Sequence, residues 1–318
     1  MSFQILKKDI TTFKVDAIVN AANPELKEGG GVCGAIFKAA GKGLAEACAE
    51  LSPIEVGEAV ITPGFKLPAS HIIHTAGPIY RGGHHDEERL LKASYLSSLH
   101  LAKKAGLKSI AFPLISSGIY GYPKDEALRV AREAILEFLK QEELEVYLVV
   151  RDHEAIVPDS HLLEDLALYL SENLEDEFTI KGPVEMRSAP YIQQPEQGPY
   201  DLILDLDESF SVMLMKLIDA KHLTDVEVYK KANIDRKLFS KIRTMPGYMP
   251  SKKTAVALAI ALELTLKETE DFLKRAGFDL SKAVKFDVIV EYFISKGEYD
   301  LFHINEVLFY YDQPLLGS

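Results

Sequence analysis

Short runs of branched and apolar residues alternate with helix-like segments through the first half of the chain. The runs are VDAIVNAAN, SHIIHTAGP, SIAFPLIS and VYLVV. Between them lie GAIFKAAGKGLAEACAEL, EERLLKASYLSSLHLAKKAG and DEALRVAREAILEFLKQ, whose apolar residues recur at roughly helical spacing. This alternation predicts an α/β fold, with helices on both faces of a largely parallel sheet. Ligands bind such sheets at the loops that leave the carboxyl ends of strands.

Length and charge limit the classes of protein that this chain can represent. Its 318 residues are enough for two domains, and its formal net charge of -12 argues against nonspecific nucleic-acid binding by the whole chain. The N-terminus has no apolar core of signal-peptide length, and no apolar run is long enough to span a bilayer. We therefore expect a cytoplasmic protein that does not act at a membrane.

A change of composition divides the chain into three parts. Residues 173–208 hold nine acidic and two basic residues, a net charge of -7, and they are rich in Pro, Gly and Gln. This composition is typical of a linker. We predict a first domain over 1–172, an acidic linker over 173–208 and a smaller all-helical domain over 209–318.

Five residues suited to capping mark the starts of helices in the last part. They precede helical patterns at Ser209, Thr224, Asp235, Ser251 and Thr265. Five short helices within about seventy residues predict a compact all-α unit, and the segments FDVIVEYFISKG and YDLFHINEVLFYYDQPLLGS add two more helices.

A glycine-rich loop follows the first predicted strand. Gly29, Gly30 and Gly31 are consecutive, and Gly34 follows Val32 and Cys33. Glycines lose much conformational entropy on folding, so this pattern favours a close backbone approach or a positive φ angle. The helix that follows would offer free N–H groups to an anion. A phosphate cradle is one interpretation, and a flexible turn between strand and helix is the other.

A second loop, in FPLISSGIYGYPKDEA, repeats this pattern after another buried strand. Ser116, Ser117 and backbone N–H groups around Gly118 could hold phosphate oxygens, and Tyr120 could pack over a sugar. Asn20 and Asn23 also follow a strand directly. Each could cap a turn, but together they favour recognition of the hydroxyls of a polar ligand.

Four segments in fixed order resemble the macrodomain family of ADP-ribose-binding modules, and in particular its MacroD-like members. They are KKDITTFKVDAIVNAAN, GGGVCGAIFKAAG, GEAVITPGFKLPASHIIHTAGP and SIAFPLISSGIYGYP. The resemblance covers about residues 3–170. It implies a three-layer α/β/α macrodomain fold and a cleft for ADP-ribose, and the helical domain would follow it.

The resemblance also implies the roles of individual residues. Asp9 and Ile10 would contact the adenine, Asn23 and Tyr120 the distal ribose, and Arg151 would stack on the adenine by its guanidinium plane. The residues implied around the diphosphate are Gly30, Gly31, Val32, Cys33, Gly34, Ser116, Ser117, Gly118, Ile119 and Tyr120. The candidate catalytic residues are Asn20, Asn23, Gly118 and Tyr120.

Two positions depart from the hydrolytic branch of that family. Cys33 stands where these relatives carry an acid that positions water, and Phe37 stands where they carry a histidine. A thiol of ordinary pKa, about 8.5, is mostly protonated at neutral pH and replaces a carboxylate poorly. A helix N-terminus could instead lower the pKa of Cys33 and make it reactive. We favour a mono-ADP-ribosyl hydrolase, with a non-catalytic ADP-ribose reader as the alternative.

The sequence offers no pattern for a metal or a cofactor, and we expect neither. His71 and His74 in HIIH lie three residues apart in a strand, and His84 and His85 lie in a polar loop. No further ligands follow at zinc-binding spacing. The two cysteines, Cys33 and Cys48, have no partners for such a site either.

A local basic region distinguishes the helical domain. Residues 221–253 carry nine basic and three acidic residues, a net charge of +6. The rhythm of VEVYKKA, NID and RKLFSKIR resembles the helix-turn-helix of the phage-repressor-like family over about sixty residues. Arg236, Lys237, Lys241 and Arg243 are candidates for nucleic-acid contacts. A solvated helix face or a site for an acidic protein partner remains the alternative.

Overall fold

The computed structural model describes residues 2–151, 156, 158–174, 208–245 and 247–317. The predicted linker therefore lies almost wholly outside the described residues. The described residues form six strands: β1 (Ser2–Lys7), β2 (Ala17–Ala22), β3 (Ala59–Pro63), β4 (His71–Ala76), β5 (Ser109–Phe112) and β6 (Glu145–Val150).

Twelve helices complete the described residues, besides a single 3-10 turn at Ile10–Thr12. Five precede the linker: α1 (Gly31–Ala40), α2 (Gly43–Leu51), α3 (Glu87–Lys104), α4 (Lys124–Gln141) and α5 (Ser160–Asn173). Seven follow it: α6 (Phe210–Ala220), α7 (Asp225–Lys231), α8 (Arg236–Thr244), α9 (Lys252–Ala261), α10 (Leu266–Lys274), α11 (Lys285–Ser295) and α12 (Leu301–Tyr310).

The six strands form one mixed sheet in the order β1-β6-β5-β2-β4-β3. All neighbours are parallel except β3, which pairs with β4 in the antiparallel sense. The carboxyl ends of β6, β5, β2 and β4 consequently meet at one edge of the sheet. This is the edge at which ligands bind in open α/β sheets.

Apolar side chains project from both faces of the sheet, as the predicted α/β fold requires. Ala17 and Val19 of β2 join a core with α3 and α4, whereas Ile18 between them joins a core with α1 and α2. Successive side chains of a strand point to opposite faces, so one strand contributes to both cores. The prediction of an α/β/α layered fold followed by helices is confirmed.

The four predicted strands are present, and β1 and β3 are additional. The stretch predicted as a single helix after the glycine loop differs in detail. It begins earlier, at Gly31, and it is divided into α1 and α2 at Gly41, whose φ angle of +87° ends the first helix. Glycine adopts this backbone conformation at little cost.

All five predicted capping residues of the C-terminal half begin helices. The side chain of each accepts a hydrogen bond from a backbone N–H of the first turn, and Thr224 and Thr265 each form a complete capping box with a glutamate. These caps satisfy N–H groups that helix geometry leaves without partners. The helices share one apolar core, which Leu166 and Leu170 of α5 also join. The predicted domain limit at residue 172 stays a prediction.

Specific contacts join the helical half to the sheet. The side chain of Asn233, in the turn between α7 and α8, donates from Nδ2 to the carbonyl oxygen of Phe3 at 2.8 Å. Its Oδ1 accepts from the N–H of Phe3 at 2.9 Å. Arg132 of α4 pairs with Glu306 of α12 at 3.1 Å, and burial raises the pKa of that carboxyl to about 7 despite the guanidinium beside it. The two halves therefore meet along β1, α4 and α12.

Candidate functional site

A cleft of about 370 Å³ opens at the carboxyl ends of β2, β5 and β6. Its two sides are the predicted glycine-bearing loops, one from Gly29 to Cys33 and the other from Ser116 to Tyr120. Arg151, directly after β6, lies at the cleft as well. The structure thus brings most of the predicted ligand-binding residues together in one place.

The first loop delivers the start of α1 to the cleft. Gly30 is the N-cap and supplies no capping side chain, so the first N–H groups of α1 have no side-chain partner. Gly31, Val32 and Cys33 of this first turn line the cleft. Gly34 allows the chain to fold back closely, because a Cβ there would lie 2.4 Å from the carbonyl oxygen of Gly29. Uncapped N–H groups at the positive end of a helix dipole suit an anion.

The second loop presents a buried hydroxyl. Ser116 has a φ angle of +63° and is only 7% exposed, and no described group bonds its Oγ. The Oγ of Ser117 is engaged, since it donates to the carbonyl oxygen of Leu114 at 2.9 Å. A buried polar atom without a partner costs free energy, so the Ser116 hydroxyl is the one available to a ligand oxygen.

The two loops touch across the cleft at Ile119. This side chain is 78% exposed, yet a Cβ on Gly30 would lie 2.7 Å from its Cδ1. Ile119 therefore reaches over the opening to the start of α1. A ligand held between the loops would be covered at this point.

Asn23 lines the cleft and is held by its own loop. Its Oδ1 accepts from the N–H of Lys27 at 3.0 Å, and its Nδ2 donates to the carbonyl oxygen of Lys27 at 2.8 Å. Each of these atoms can make one further hydrogen bond. The side chain is thus fixed in orientation and still able to contact a sugar hydroxyl.

Asn20 does not line the cleft, although it was predicted as a catalytic residue. It is completely buried, and its Nδ2 lies 3.1 Å from Nδ1 of His74 and 3.7 Å from Sγ of Cys33. Burial lowers the pKa of His74 to about 4, so this imidazole is neutral. Because Nδ1 accepts from Asn20, Nε2 carries the proton and donates to Oγ1 of Thr62 at 2.9 Å. Asn20 supports Cys33 from beneath, and its catalytic role stays a prediction.

Cys33 is buried under the first turn of α1. Burial raises the pKa of its thiol above the ordinary value, which opposes the hypothesis of a thiolate activated by the helix N-terminus. Its Sγ lies 3.7 Å from the carbonyl oxygen of Lys27, to which the thiol donates. Phe37, one turn later in α1, is buried in the core between the sheet and helices α1 and α2.

Asp9 and Ile10, the predicted adenine contacts, are not part of the cleft wall. Asp9 is exposed and caps the 3-10 turn, accepting from the N–H of Thr11 at 2.9 Å and from its Oγ1 at 2.8 Å. These bonds lower the pKa of Asp9, and the positive charge of Arg151 lowers it further. Ile10 packs in the core with α1. Their contact with adenine stays a prediction.

Several cleft residues were not predicted as site residues. They are Ala21, Ala22, Gly29, Gly77, Pro113, Leu114, Ile115, Val149 and Val150. Each lies at or just after the carboxyl end of a strand, or at the start of the glycine loop, and this position is the signal that could have identified them. Gly77 is also sterically required, because a Cβ there would lie 2.3 Å from Oγ of Ser116.

The basic candidates of the helical half lie on α8. Arg236, Lys237 and Lys241 are exposed, and no ion pair joins them to another described residue. Arg243 is also exposed but pairs with Asp225 of α7. The interpretation of α7 and α8 as a helix-turn-helix stays a prediction.

The described residues contain no group of three or more His, Cys, Asp or Glu side chains placed to hold a metal ion. They also contain no helix whose length and apolar character would allow it to cross a membrane.

The family model and the similar proteins all point to the same family, and the family model matches the N-terminal half of the chain. Residues 19–131 match the family model described as Macro domain. An O-acetyl-ADP-ribose deacetylase of Citrobacter rodentium is 50% identical over 156 residues, which are 47% of this chain and 88% of that protein. A macro domain-containing protein of Ralstonia nicotianae is 53% identical over 137 residues, or 43% of this chain and 80% of the relative.

Solved structures with sequence similarity include a macrodomain of Oceanobacillus iheyensis with ADP. It is 39% identical, and the match covers 54% of this chain and 92% of that chain with a TM-score of 0.46. A Trypanosoma brucei macrodomain in complex with ADP-ribose is 35% identical, covering 48% of this chain and 66% of that one, also with a TM-score of 0.46.

Proposed function

This chain belongs to the macro domain family through its N-terminal half, and we propose that it binds ADP-ribose and releases ADP-ribose from modified molecules by hydrolysis. The observation that carries the proposal is the pair of loops facing each other across the cleft, one with uncapped helix N–H groups and one with the unpartnered Ser116 hydroxyl. The deacetylase relatives, at about half identity, support ester hydrolysis.

In this proposal the two loops hold the diphosphate. The first N–H groups of α1 lie on one side, and the Ser116 hydroxyl lies on the other. Ile119 would cover the diphosphate from solvent. The cleft extends to Arg151 in one direction and to Asn23 and Tyr120 in the other, which fits an adenine at the first end and the distal ribose at the second.

Among the described residues, the cleft wall supplies no carboxylate for the chemistry. No described residue lining the cleft is Asp, Glu or His, and the Cys33 thiol stays protonated. We therefore assign water activation to a phosphate oxygen of the bound substrate, which takes the proton of the attacking water. In an ester, the water oxygen bonds to the acyl carbon, the bond from that carbon to the ribose oxygen breaks, and the ribose oxygen receives the proton. Asn23 would orient the ribose.

The decisive experiment separates binding from hydrolysis. We expect calorimetry to show binding of ADP-ribose, and chromatography to show release of ADP-ribose from O-acetyl-ADP-ribose and from a mono-ADP-ribosylated protein. Tight binding with no release from either substrate would contradict the hydrolase and leave a reader. Release from the ester alone would restrict the activity to small esters.

A second function is supported by α8. Its outward face carries Arg236, Lys237 and Lys241 within an otherwise acidic protein, a placement suited to phosphate contacts. If the helix-turn-helix interpretation holds, duplex DNA should bind the full chain with an affinity that falls steeply as salt rises. The double variant Lys237→Ala with Lys241→Ala should weaken binding and reduce the salt slope by about two. Lys267→Ala, an exposed lysine of α10, is the matched control.

Absence of DNA binding at low salt would contradict this second function. The acidic-partner alternative would then remain for the same face of α8. Either way, an effect of ADP-ribose on the interaction would show whether the two halves communicate.

A further inference from the structure

A second cavity of about 220 Å³ adjoins the cleft. Gly77 and Tyr120 line both cavities, so these two residues form the boundary between them. Pro24, which directly follows Asn23, lies in the second cavity. The second cavity is therefore next to the Asn23 and Tyr120 end of the cleft, away from Arg151.

The wall of this second cavity is largely apolar. It is formed by Pro24, Val56, Pro78, Ile79 and Leu90, with Gly77 and Tyr120 at the boundary. Ile79 is 52% exposed and stands at the surface, whereas Pro78 is buried. The exposed residues Arg81 and His85 also line the cavity. An apolar recess suits an uncharged hydrocarbon group more than an ion.

One buried charge, Glu87, is also present in the wall, but the backbone satisfies it. Its Oε1 accepts from the N–H of Arg81 at 3.0 Å, and its Oε2 accepts from the N–H of His85 at 2.5 Å. Burial alone would raise the pKa of this carboxyl, yet backbone N–H groups from residue 81 to residue 87 together lower it to about 2. Glu87 therefore fixes the loop that forms one side of the cavity, and the backbone N–H groups stabilise its negative charge.

We propose that this second cavity is an acyl subsite, which receives the hydrocarbon part of an O-acyl-ADP-ribose whose ester lies on the distal ribose. The inference rests on the proposed function, because it takes the distal ribose to lie beside Asn23 and Tyr120. The cavity is larger than an acetyl group requires, so it predicts a preference for longer acyl chains. Hydrolysis follows the step described above. Water adds to the acyl carbon, the bond from that carbon to the ribose oxygen breaks, the ribose oxygen receives the proton, and a fatty acid and free ADP-ribose leave.

The first test compares chain lengths as substrates. Each methylene that becomes fully buried contributes roughly a fourfold gain in affinity. For the full chain, we expect kcat/KM for O-butyryl-ADP-ribose to exceed that for O-acetyl-ADP-ribose by about tenfold, mostly through KM. Equal or lower values for the butyryl ester would overturn the acyl subsite.

Two variants test whether the preference for the butyryl ester over the acetyl ester arises in the second cavity. Val56→Phe fills the recess and should reduce the butyryl-to-acetyl ratio to about one. Ile79→Ala removes an apolar side chain at the surface, with little risk to folding, and should lower the ratio severalfold. Val212→Phe, at an exposed valine of α6, is the matched control and should keep the ratio unchanged. A ratio that is unchanged in both Val56→Phe and Ile79→Ala would contradict the proposal.

A binding measurement separates this inference from the hydrolase itself. Analogues in which NH replaces the ester oxygen cannot be hydrolysed as esters, and calorimetry can compare butyramide with acetamide forms. Tighter binding of the butyramide form, lost in Val56→Phe, would support the subsite even if no ester is cleaved. If ADP-ribose binds but the two amides bind equally, the subsite is wrong and the ADP-ribose cleft stands. If neither amide nor ADP-ribose binds, both proposals are wrong.

Discussion

The helices of the two halves begin in different ways. In the N-terminal half, α1, α2, α3 and α4 start without a hydrogen bond from a capping side chain. In the C-terminal half, α6, α7, α8, α9, α10 and α12 each start at a Ser, Thr or Asp that accepts such a bond. Two helices depart from this pattern: Asp159 caps α5, and α11 starts at Val284 without a capping side chain. Apart from α11, the helical half uses its own side chains to satisfy the N–H groups at its helix starts.

The uncapped start of α1 is where this difference matters for function. A capping side chain at Gly30 would accept the N–H groups that line the cleft and would occupy the position of an anion. The same N–H groups can either stabilise the helix through a cap or bind a ligand. In our proposal the N-terminal half leaves these N–H groups of α1 to the ligand, whereas the helical half uses the corresponding groups for stability.

The largest expected effect concerns the contact between the halves and depends on pH. Burial raises the pKa of Glu306 to about 7, above its value of about 4.5 in an unfolded chain, although Arg132 opposes the shift. The folded state then holds a proton that the unfolded state loses, so this residue lowers stability as pH rises from about 4.5 to 7. The shift corresponds to about 3 kcal/mol.

Glu306→Gln should remove this contribution. Urea unfolding of both proteins at several pH values should show the difference in unfolding free energy growing in favour of the variant up to about pH 7. His74, buried as a neutral imidazole with a pKa lowered to about 4, acts in the opposite sense, because its stability contribution is lost as pH falls below about 6.5. Both proteins contain His74, so its contribution cancels when their unfolding free energies are subtracted. A difference in unfolding free energy that does not change with pH would contradict the prediction.

The next effect tests what the first turn of α1 lacks. Cys33 is the third residue of α1, where an acid would interact favourably with the helix dipole. If the missing carboxylate limits catalysis, Cys33→Asp should raise kcat for O-acetyl-ADP-ribose about a hundredfold. Cys33→Asn is the matched neutral variant and should give no such gain. Equal rates in Asp and Asn variants that bind ADP-ribose would show that water is activated elsewhere.

A carboxylate three residues earlier should have the opposite effect. Gly30→Asp provides a cap at the start of α1 and places a negative charge beside the proposed diphosphate. We expect ADP-ribose affinity, measured by calorimetry, to fall about thirtyfold, which is about 2 kcal/mol. Gly30→Ala is the control, because its Cβ needs only a movement of the flexible end of Ile119. Unchanged affinity in Gly30→Asp would mean that this helix end does not bind phosphate.

The smallest effect is the removal of a cap from the other half. Asp235 accepts from the N–H of Lys237 at 2.6 Å, and Asp235→Ala should lower the unfolding free energy by about 1 kcal/mol. ADP-ribose affinity should not change. Asp279→Ala, at an exposed loop acid, should change stability by less than about 0.5 kcal/mol. A loss of ADP-ribose binding in Asp235→Ala would show that a helix cap in the helical half also affects the cleft, which would contradict this contrast between the halves.

The sequence predicted the helical half more fully than the sheet. Ser209, Thr224, Asp235, Ser251 and Thr265 were found because a cap is a local signal, with its hydrogen bond made within three residues. The edge strands β1 and β3 were not predicted. A strand depends on partners that are distant in sequence, and β1 pairs with β6 more than 140 residues away.

The sequence predicted the loop residues of the candidate site, but it did not predict which residues are buried beneath the cleft. Gly31 and Gly34 carry their signal in the sequence, because Gly31 has a positive φ angle and a Cβ on Gly34 would lie too close to the carbonyl oxygen of Gly29. The burial of Asn20 beneath the cleft was not visible, since it follows from the packing of β2 against β4 and His74. The second cavity lies between four separate segments of the chain and has no local signature in the sequence.

The two hydrogen bonds between Asn233 and Phe3 have a consequence for the protein in concentrated solution. β1 is one of the two edge strands of the sheet, and an edge strand can pair with a strand of another molecule. By bonding both backbone groups of Phe3, the turn between α7 and α8 blocks that pairing at the start of the strand. The helical half therefore shields this end of β1 from edge-to-edge pairing with another molecule.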